Sequence, residues 1–140
     1  MLIRSFKLSD HVAVTKLFEE VLSDECYKET MEAFARQISW DCELVLVAVE
    51  GDEVIGVIVG TIDNNNGYYY RIAVSANHRR KGVGKSLIQA LRQRFEQRRV
   101  SKIMVSVDAH NEVVLPVYEA MGYSSNDFYR STHRLKIVNG

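Results

Sequence analysis

The sequence predicts a mixed α/β domain of α+β-like character, a central and mostly antiparallel sheet of about seven strands flanked by about four helices. Three observations predict it. Two helical stripes follow a short opening strand, three strand runs then succeed one another across tight turns, and a strand–helix–strand crossover comes after them. The expected order is β-α-α-β-β-β-α-β-α-β-β, in one domain spanning 1–140.

The first strand is Leu2–Phe6, and Ser9 or Asp10 then caps a helix with Val14, Leu17, Phe18 and Val21 on one face. Tyr27, Met31, Phe34 and Ile38 keep helical step in the next segment. Leu44–Val49 turns at Gly51-Asp52 into Val54–Ile62, a two-residue hairpin. A turn over Asp63–Gly67 leads into Tyr68–Val74. Ser75–Lys81 then connects to a helix from Gly82 to about Arg98, whose Val83, Leu87, Leu91 and Phe95 form one stripe beside Ile88. Strand Lys102–Asp108 follows, so Tyr68–Val74 and Lys102–Asp108 should lie parallel across a right-handed crossover. Asn111 opens a helix that reaches Met121 and ends at Gly122, with a kink near Glu112 caused by Pro116. Two further strand-like segments close the chain.

Composition narrows the functional classes. A net charge of zero argues against a nucleic-acid partner or an anionic membrane surface. Hydrophobic residues at 46% and charged ones at 26% suit a globular domain without staples. Cys26 and Cys42 read as reduced thiols, no His/Cys cluster has metal-ligand spacing, and His11, His78, His110 and His133 form no hydrolase pattern. The N-terminus lacks the pattern of a signal peptide, and no run approaches the ~18 apolar residues of a membrane span. The expectation is a soluble, cytoplasmic protein without a metal.

The most informative stretch is Arg79-Arg80-Lys81-Gly82-Val83-Gly84-Lys85-Ser86, between a strand and a long amphipathic helix. Glycines there let a ligand approach the backbone, and free N–H groups of the first helical turn together with the helix dipole favour pyrophosphate. Arg79, Arg80 and Lys81 add charge, each charge-assisted hydrogen bond contributing about 1.5–3 kcal/mol. A Walker A loop needs glycine where Arg79 stands, and a dinucleotide fingerprint needs one where Leu87 stands. What remains is R-x-x-G-x-G. One strand and one turn later the chain reads Asn111-Glu112-Val113-Val114-Leu115-Pro116-Val117-Tyr118-Glu119-Ala120-Met121-Gly122-Tyr123.

These two motifs, in this order of elements over the whole chain, resemble the GNAT family of N-acetyltransferases. The resemblance implies an acyltransferase that moves acetyl from acetyl-CoA, a co-substrate, to a primary amine of a small molecule or of a peptide or protein N-terminus. It implies that Arg79, Arg80, Lys81, Gly82, Val83, Gly84, Lys85 and Ser86 hold the diphosphate. It further implies that the strand before this loop parts from its neighbour, so that Ile72, Ala73 and Val74 line a slot for the pantetheine arm, with an N–H near Val74 on the thioester carbonyl. Asn111 would face that arm, and Tyr118 would be the general acid for the departing thiolate. A glutamate that some relatives carry is replaced by Ser106, and the stretch Tyr68-Tyr69-Tyr70-Arg71 has no carboxylate either. Asp108, His110 or a held water stay open as the base, which makes an acceptor amine of low pKa the easier substrate. Asp24, Glu25 and Glu29 could attract the amine, and Tyr68, Tyr69, Phe128 and Tyr129 could wall its site. A non-catalytic acyl-CoA-binding module is the alternative, nucleic-acid binding through the basic loop is a remote third, and a homodimer is left open.

Overall fold

A computed structural model describes residues 1–130. The elements run β1 (Leu2–Ser5), α1 (His11–Val21), α2 (Asp24–Asp41), β2 (Val45–Glu50), β3 (Glu53–Asp63), β4 (Asn66–Val74), α3 (Val83–Gln97), β5 (Lys102–Ser106), α4 (Leu115–Ala120) and β6 (Phe128–Tyr129). The six strands form one sheet in sequence order. Pairings β1–β2, β2–β3 and β3–β4 are antiparallel, whereas β4–β5 and β5–β6 are parallel. The mixed α/β class and the four helices agree with the expectation, and six of the about seven expected strands fall among the described residues. The last of the two closing segments lies outside the described residues.

Alternation along the strands sends side chains to two separate cores. Val45, Val47, Val57 and Val59 pack with Phe18 and Phe34 of α1 and α2. Leu46, Ala48, Ile58 and Tyr69 pack on the opposite face with Leu87, Ile88, Leu91 and Phe95 of α3. Those four α3 residues are fully buried, each burial contributing about 1.5–3 kcal/mol. Small residues beneath α3 make the close fit. A Cβ at Gly60 would lie 2.8 Å from Leu91, and one at Gly67 would lie 2.8 Å from the Phe95 ring.

Local structure departs from expectation at several points. The second hairpin turns on Asn64 and Asn65 alone, at φ of 52° and 63°, with Asp63 paired to Asn66. Asparagine tolerates this left-handed region, so the loop is shorter than Asp63–Gly67 and Gly67 belongs to the strand. Asp10 precedes α1 but does not cap it. Its carboxylate accepts from the Lys7 N–H at 2.8 Å and from the Arg4 guanidinium at 2.7 and 3.0 Å. The segment after Asn111 is not one kinked helix. A 3₁₀ turn over Glu112–Val114 precedes a short α4 with Pro116 in its first turn, where the missing N–H costs nothing. Among the described residues, no helix is long and apolar enough to cross a membrane.

Candidate active site

The site begins at an irregularity in β4. Val59 pairs with Arg71 and Gly60 with Tyr69, so Tyr70 has no residue opposite it. Such a bulge bends a strand and sharpens its twist. It also turns Tyr70 and Arg71 to the same face: Tyr70 joins the core beneath α1 and α2, and Arg71 reaches Thr30 of α2. The parallel pairing of β4 with β5 stops at this point, its last pair being Tyr69 with Val105. Beyond it the two strands part. The β5-facing edge of Ile72–Val74 pairs with no strand among the described residues, although the other edge stays bonded to β3.

The gap opens into a cavity of about 820 Å³. Of the expected cofactor-binding residues, Ile72, Ala73, Val74, Arg79, Arg80, Gly82, Val83, Gly84, Lys85 and Asn111 line it. Lys81 and Ser86 are not on its wall; Lys81 is exposed, and the Ser86 N–H donates to the Gly82 carbonyl at 3.0 Å. That bond is the first intrahelical bond of α3, which leaves the N–H groups of Val83, Gly84 and Lys85 without helical partners. Gly82 caps the helix at φ +81°, a left-handed conformation that suits glycine. A Cβ on Gly84 would meet only Ile72, Val117 and Val74, at 3.7 to 4.0 Å, so packing does not require glycine there. What glycine supplies at this position is free width in the slot. Arg79 folds back toward the end of β4, its Nε 3.4 Å from the Val74 carbonyl.

The opposite end of the cavity is formed by Val21, Leu22, Ser23 and Cys26 around the α1–α2 turn, and by Arg71 and His110. Arg71 is a buried cation, 2% exposed. It donates to both oxygens of Asp108 at 3.2 and 3.0 Å, to Thr30 Oγ1 at 2.9 Å and to the Tyr70 hydroxyl at 3.4 Å, and its guanidinium lies 4.8 Å from the Tyr70 ring centre. Asp108 also accepts from the His110 N–H at 2.8 Å. His110 turns its Nε2 to Glu29 of α2, at 3.2 Å. Asn111 does not cap the following turn. Its side chain accepts from the Asp108 N–H at 2.9 Å and donates to the Ser106 carbonyl at 2.6 Å, holding the loop after β5 in shape.

Tyr118 is buried behind this wall. Its neighbour Val117 lines the cavity and Tyr118 does not. The Tyr118 ring packs at 5.3 Å from Tyr69 and 6.4 Å from Tyr123, whose hydroxyls share a 2.5 Å hydrogen bond. Among the described residues, the Tyr118 hydroxyl itself makes no hydrogen bond. Burial pushes its pKa well above the usual phenol range, against a smaller opposing pull from Arg71. The phenol is therefore neutral throughout the physiological range.

Tyr68 and Tyr69, which could have walled the acceptor site, are core residues. Tyr69 is fully buried beneath α3, and Tyr68 packs edge-on against Tyr129 at 5.1 Å. Asp24 and Glu25 are exposed at the start of α2. Arg71 is the residue that sequence reasoning passed over, since Tyr68–Val74 read as an ordinary strand. A lone charge inside an apolar and aromatic strand was the available signal, because such a charge is buried only when paired.

A family model described as Acetyltransferase (GNAT) family matches residues 13–123. Solved structures share the fold. An aminoglycoside antibiotic 6'-N-acetyltransferase from Acinetobacter haemolyticus is 16% identical with a TM-score of 0.73, over 98% of this chain and 99% of that one. The ribosomal-protein-S18-alanine N-acetyltransferase from Escherichia coli is 19% identical with a TM-score of 0.67, over 86% and 76%. The PaiA N-acetyltransferase from Thermoplasma acidophilum, in complex with coenzyme A, is 18% identical with a TM-score of 0.69, over 88% and 89%.

Proposed function

Because this chain belongs to the acetyltransferase (GNAT) family, we propose that it transfers an acetyl group from acetyl-CoA to a primary amine, by direct attack of the amine on the thioester. The observation that carries this reading is the parting of β4 from β5 at the Tyr70 bulge, into a cavity that runs from the α3 N-terminus to the α1–α2 turn. The residues present fit the co-substrate. Backbone N–H groups of Val83, Gly84 and Lys85, flanked by Arg79 and Arg80, are donors suited to a diphosphate. The unpaired edge of Ile72–Val74 suits an extended amide-bearing arm, which would pair with it like an added strand. A coenzyme A complex of a protein with this fold is in keeping with that arrangement.

Acetyl-CoA would supply the activated carbonyl, and the chain would supply orientation and proton control. An N–H at the end of β4 would stabilise the oxyanion that develops as the amine attacks. Tyr118, kept neutral by burial, would give a proton to the departing sulfur. The acceptor is an amine that enters at the α1–α2 end, where His110, Glu29 and Arg71 stand. Small-molecule amines and peptide N-termini are both of the right class, as the aminoglycoside and ribosomal-protein acetyltransferases of this fold illustrate. Metal chemistry has no part in this reading, nor does nucleic acid.

A non-catalytic acyl-CoA-binding module is the second reading, and the position of Tyr118 behind the cavity wall is what favours it. One experiment separates the two. The protein is mixed with acetyl-CoA and a panel of amines that includes spermidine, an aminoglycoside and an alanine-initiated peptide, and released thiol is followed. Amine-dependent thiol release is expected. Tight coenzyme A binding with no release from any amine would leave the binding module standing, and no binding at all would end both readings.

A further inference from the structure

We propose that His110 is the general base for the acceptor amine and that Glu29 positions it, an inference that rests on the acetyltransferase reading above. The observations separate His110 from the other side chain that could take the proton. Asp108 has both oxygens turned to the buried Arg71 guanidinium, and one of them also accepts the His110 N–H. Asp108 is thereby committed to three N–H donors. His110 lines the same end of the cavity and points its Nε2 at the Glu29 carboxylate, 3.2 Å away. A proton on Nε2, facing Glu29, leaves the lone pair on Nδ1. A carboxylate behind one imidazole nitrogen sets the tautomer and stabilises the charge that the ring acquires on taking a proton.

Among the described residues, the charged and titratable groups around this imidazole come from three elements. α2 contributes Glu29 and the Cys26 thiol, β4 contributes Tyr70 and Arg71, and the loop after β5 contributes Asp108. Arg71 and Asp108 offset each other, and Glu29 faces the ring from α2 with a carboxylate oxygen 3.2 Å from Nε2. The same Arg71 and Asp108 bonds also tie the loop to β4 and through Thr30 to α2, which fixes where His110 stands.

The step balances as follows. His110 takes one proton from the acceptor ammonium, and the freed amine nitrogen forms a bond to the thioester carbonyl carbon and sheds its second proton as the adduct collapses. The carbon–sulfur bond breaks with its electron pair on sulfur, which gains a proton, and the imidazolium returns its own to solvent. Products are the N-acetyl amine and free thiol.

The test uses the full chain with His110→Gln and Glu29→Gln. Acetyl-CoA affinity by calorimetry should be unchanged in both. Turnover of the best amine of the panel should fall by about 10²–10⁴ in His110→Gln, and by less in Glu29→Gln. The rise of kcat/KM with pH that an imidazole base imposes should vanish in His110→Gln. Hydroxylamine, which is unprotonated at neutral pH, should restore most of the lost rate. Imidazole nitrogen NMR of the wild type should show the proton on Nε2, and Glu29→Gln should redistribute it. A His110→Gln enzyme with the wild-type rate and pH profile would overturn the assignment while leaving the transferase reading intact. So would a wild-type ring protonated on Nδ1. A wild-type protein that binds acetyl-CoA yet acetylates no amine would overturn both.

Discussion

Tyr118 and Arg71 show how far a single side chain's role depends on what surrounds it. Tyr118 sits in an aromatic cluster that contributes to packing whether or not its hydroxyl is present. Because that hydroxyl has no hydrogen-bond partner among the described residues, Tyr118→Phe should leave the melting temperature nearly unchanged. If the phenol is the acid, kcat should fall by about 10²–10⁴ with acetyl-CoA affinity preserved. A Phe variant with full kcat would assign the proton to another donor. Arg71 is a different case, since its four hydrogen bonds to three residues make it part of the floor and not a separable catalytic group.

The glycines of β4 and α3 divide between packing and binding, and substitution distinguishes the two. Gly67 lies under the Phe95 ring, so Gly67→Ala forces α3 off the sheet and should destabilise the fold by about 1–3 kcal/mol, read as a lower urea midpoint. Gly84 has room for a side chain, with nothing closer than 3.7 Å to a Cβ. Gly84→Leu should therefore keep its urea midpoint and lose acetyl-CoA affinity, because the added side chain projects into the slot. Calorimetry and denaturation on the same two variants check both halves. Loss of stability without loss of affinity in Gly84→Leu would place the co-substrate elsewhere.

Five buried tyrosines give the whole molecule a pH limit. Burial raises the pKa of Tyr68, Tyr69, Tyr70, Tyr118 and Tyr123 above the ordinary phenol value. Each keeps its proton in the folded state at a pH where the unfolded chain has lost it. The folded state then binds more protons, and stability falls as pH rises past about 10, by up to ~1.4 kcal/mol per pH unit for each fully differing group. Urea unfolding should show a plateau below about pH 9 and a steep loss by about pH 11. A flat profile across that range would mean that the cluster is open to water. At the acid end Asp10 acts in the opposite sense. The Arg4 guanidinium holds its carboxyl below the usual range, and that contribution is lost as pH falls through the carboxylate region.

Hydrophobic periodicity was enough to read the mixed α/β class, the α3 stripe and the crossover into β5, because burial of one face imposes spacing on any chain that folds this way. The pair of motifs at Arg79–Ser86 and Asn111–Tyr123 was enough to read the family, because backbone access at a helix start demands small residues in order. Turn lengths and helix starts were less legible: Asn64-Asn65 does the work expected of five residues, and Pro116 begins α4 where a kink was expected. The bulge at Tyr70 and the approach of His110 to Glu29 were not readable in the chain, and the lone charge of Arg71 signalled burial without naming its partners. A bulge is a mismatch between two strands, and the His110–Glu29 contact joins residues 81 positions apart. Neither leaves a periodic mark on one segment, since both arise only when separate elements meet.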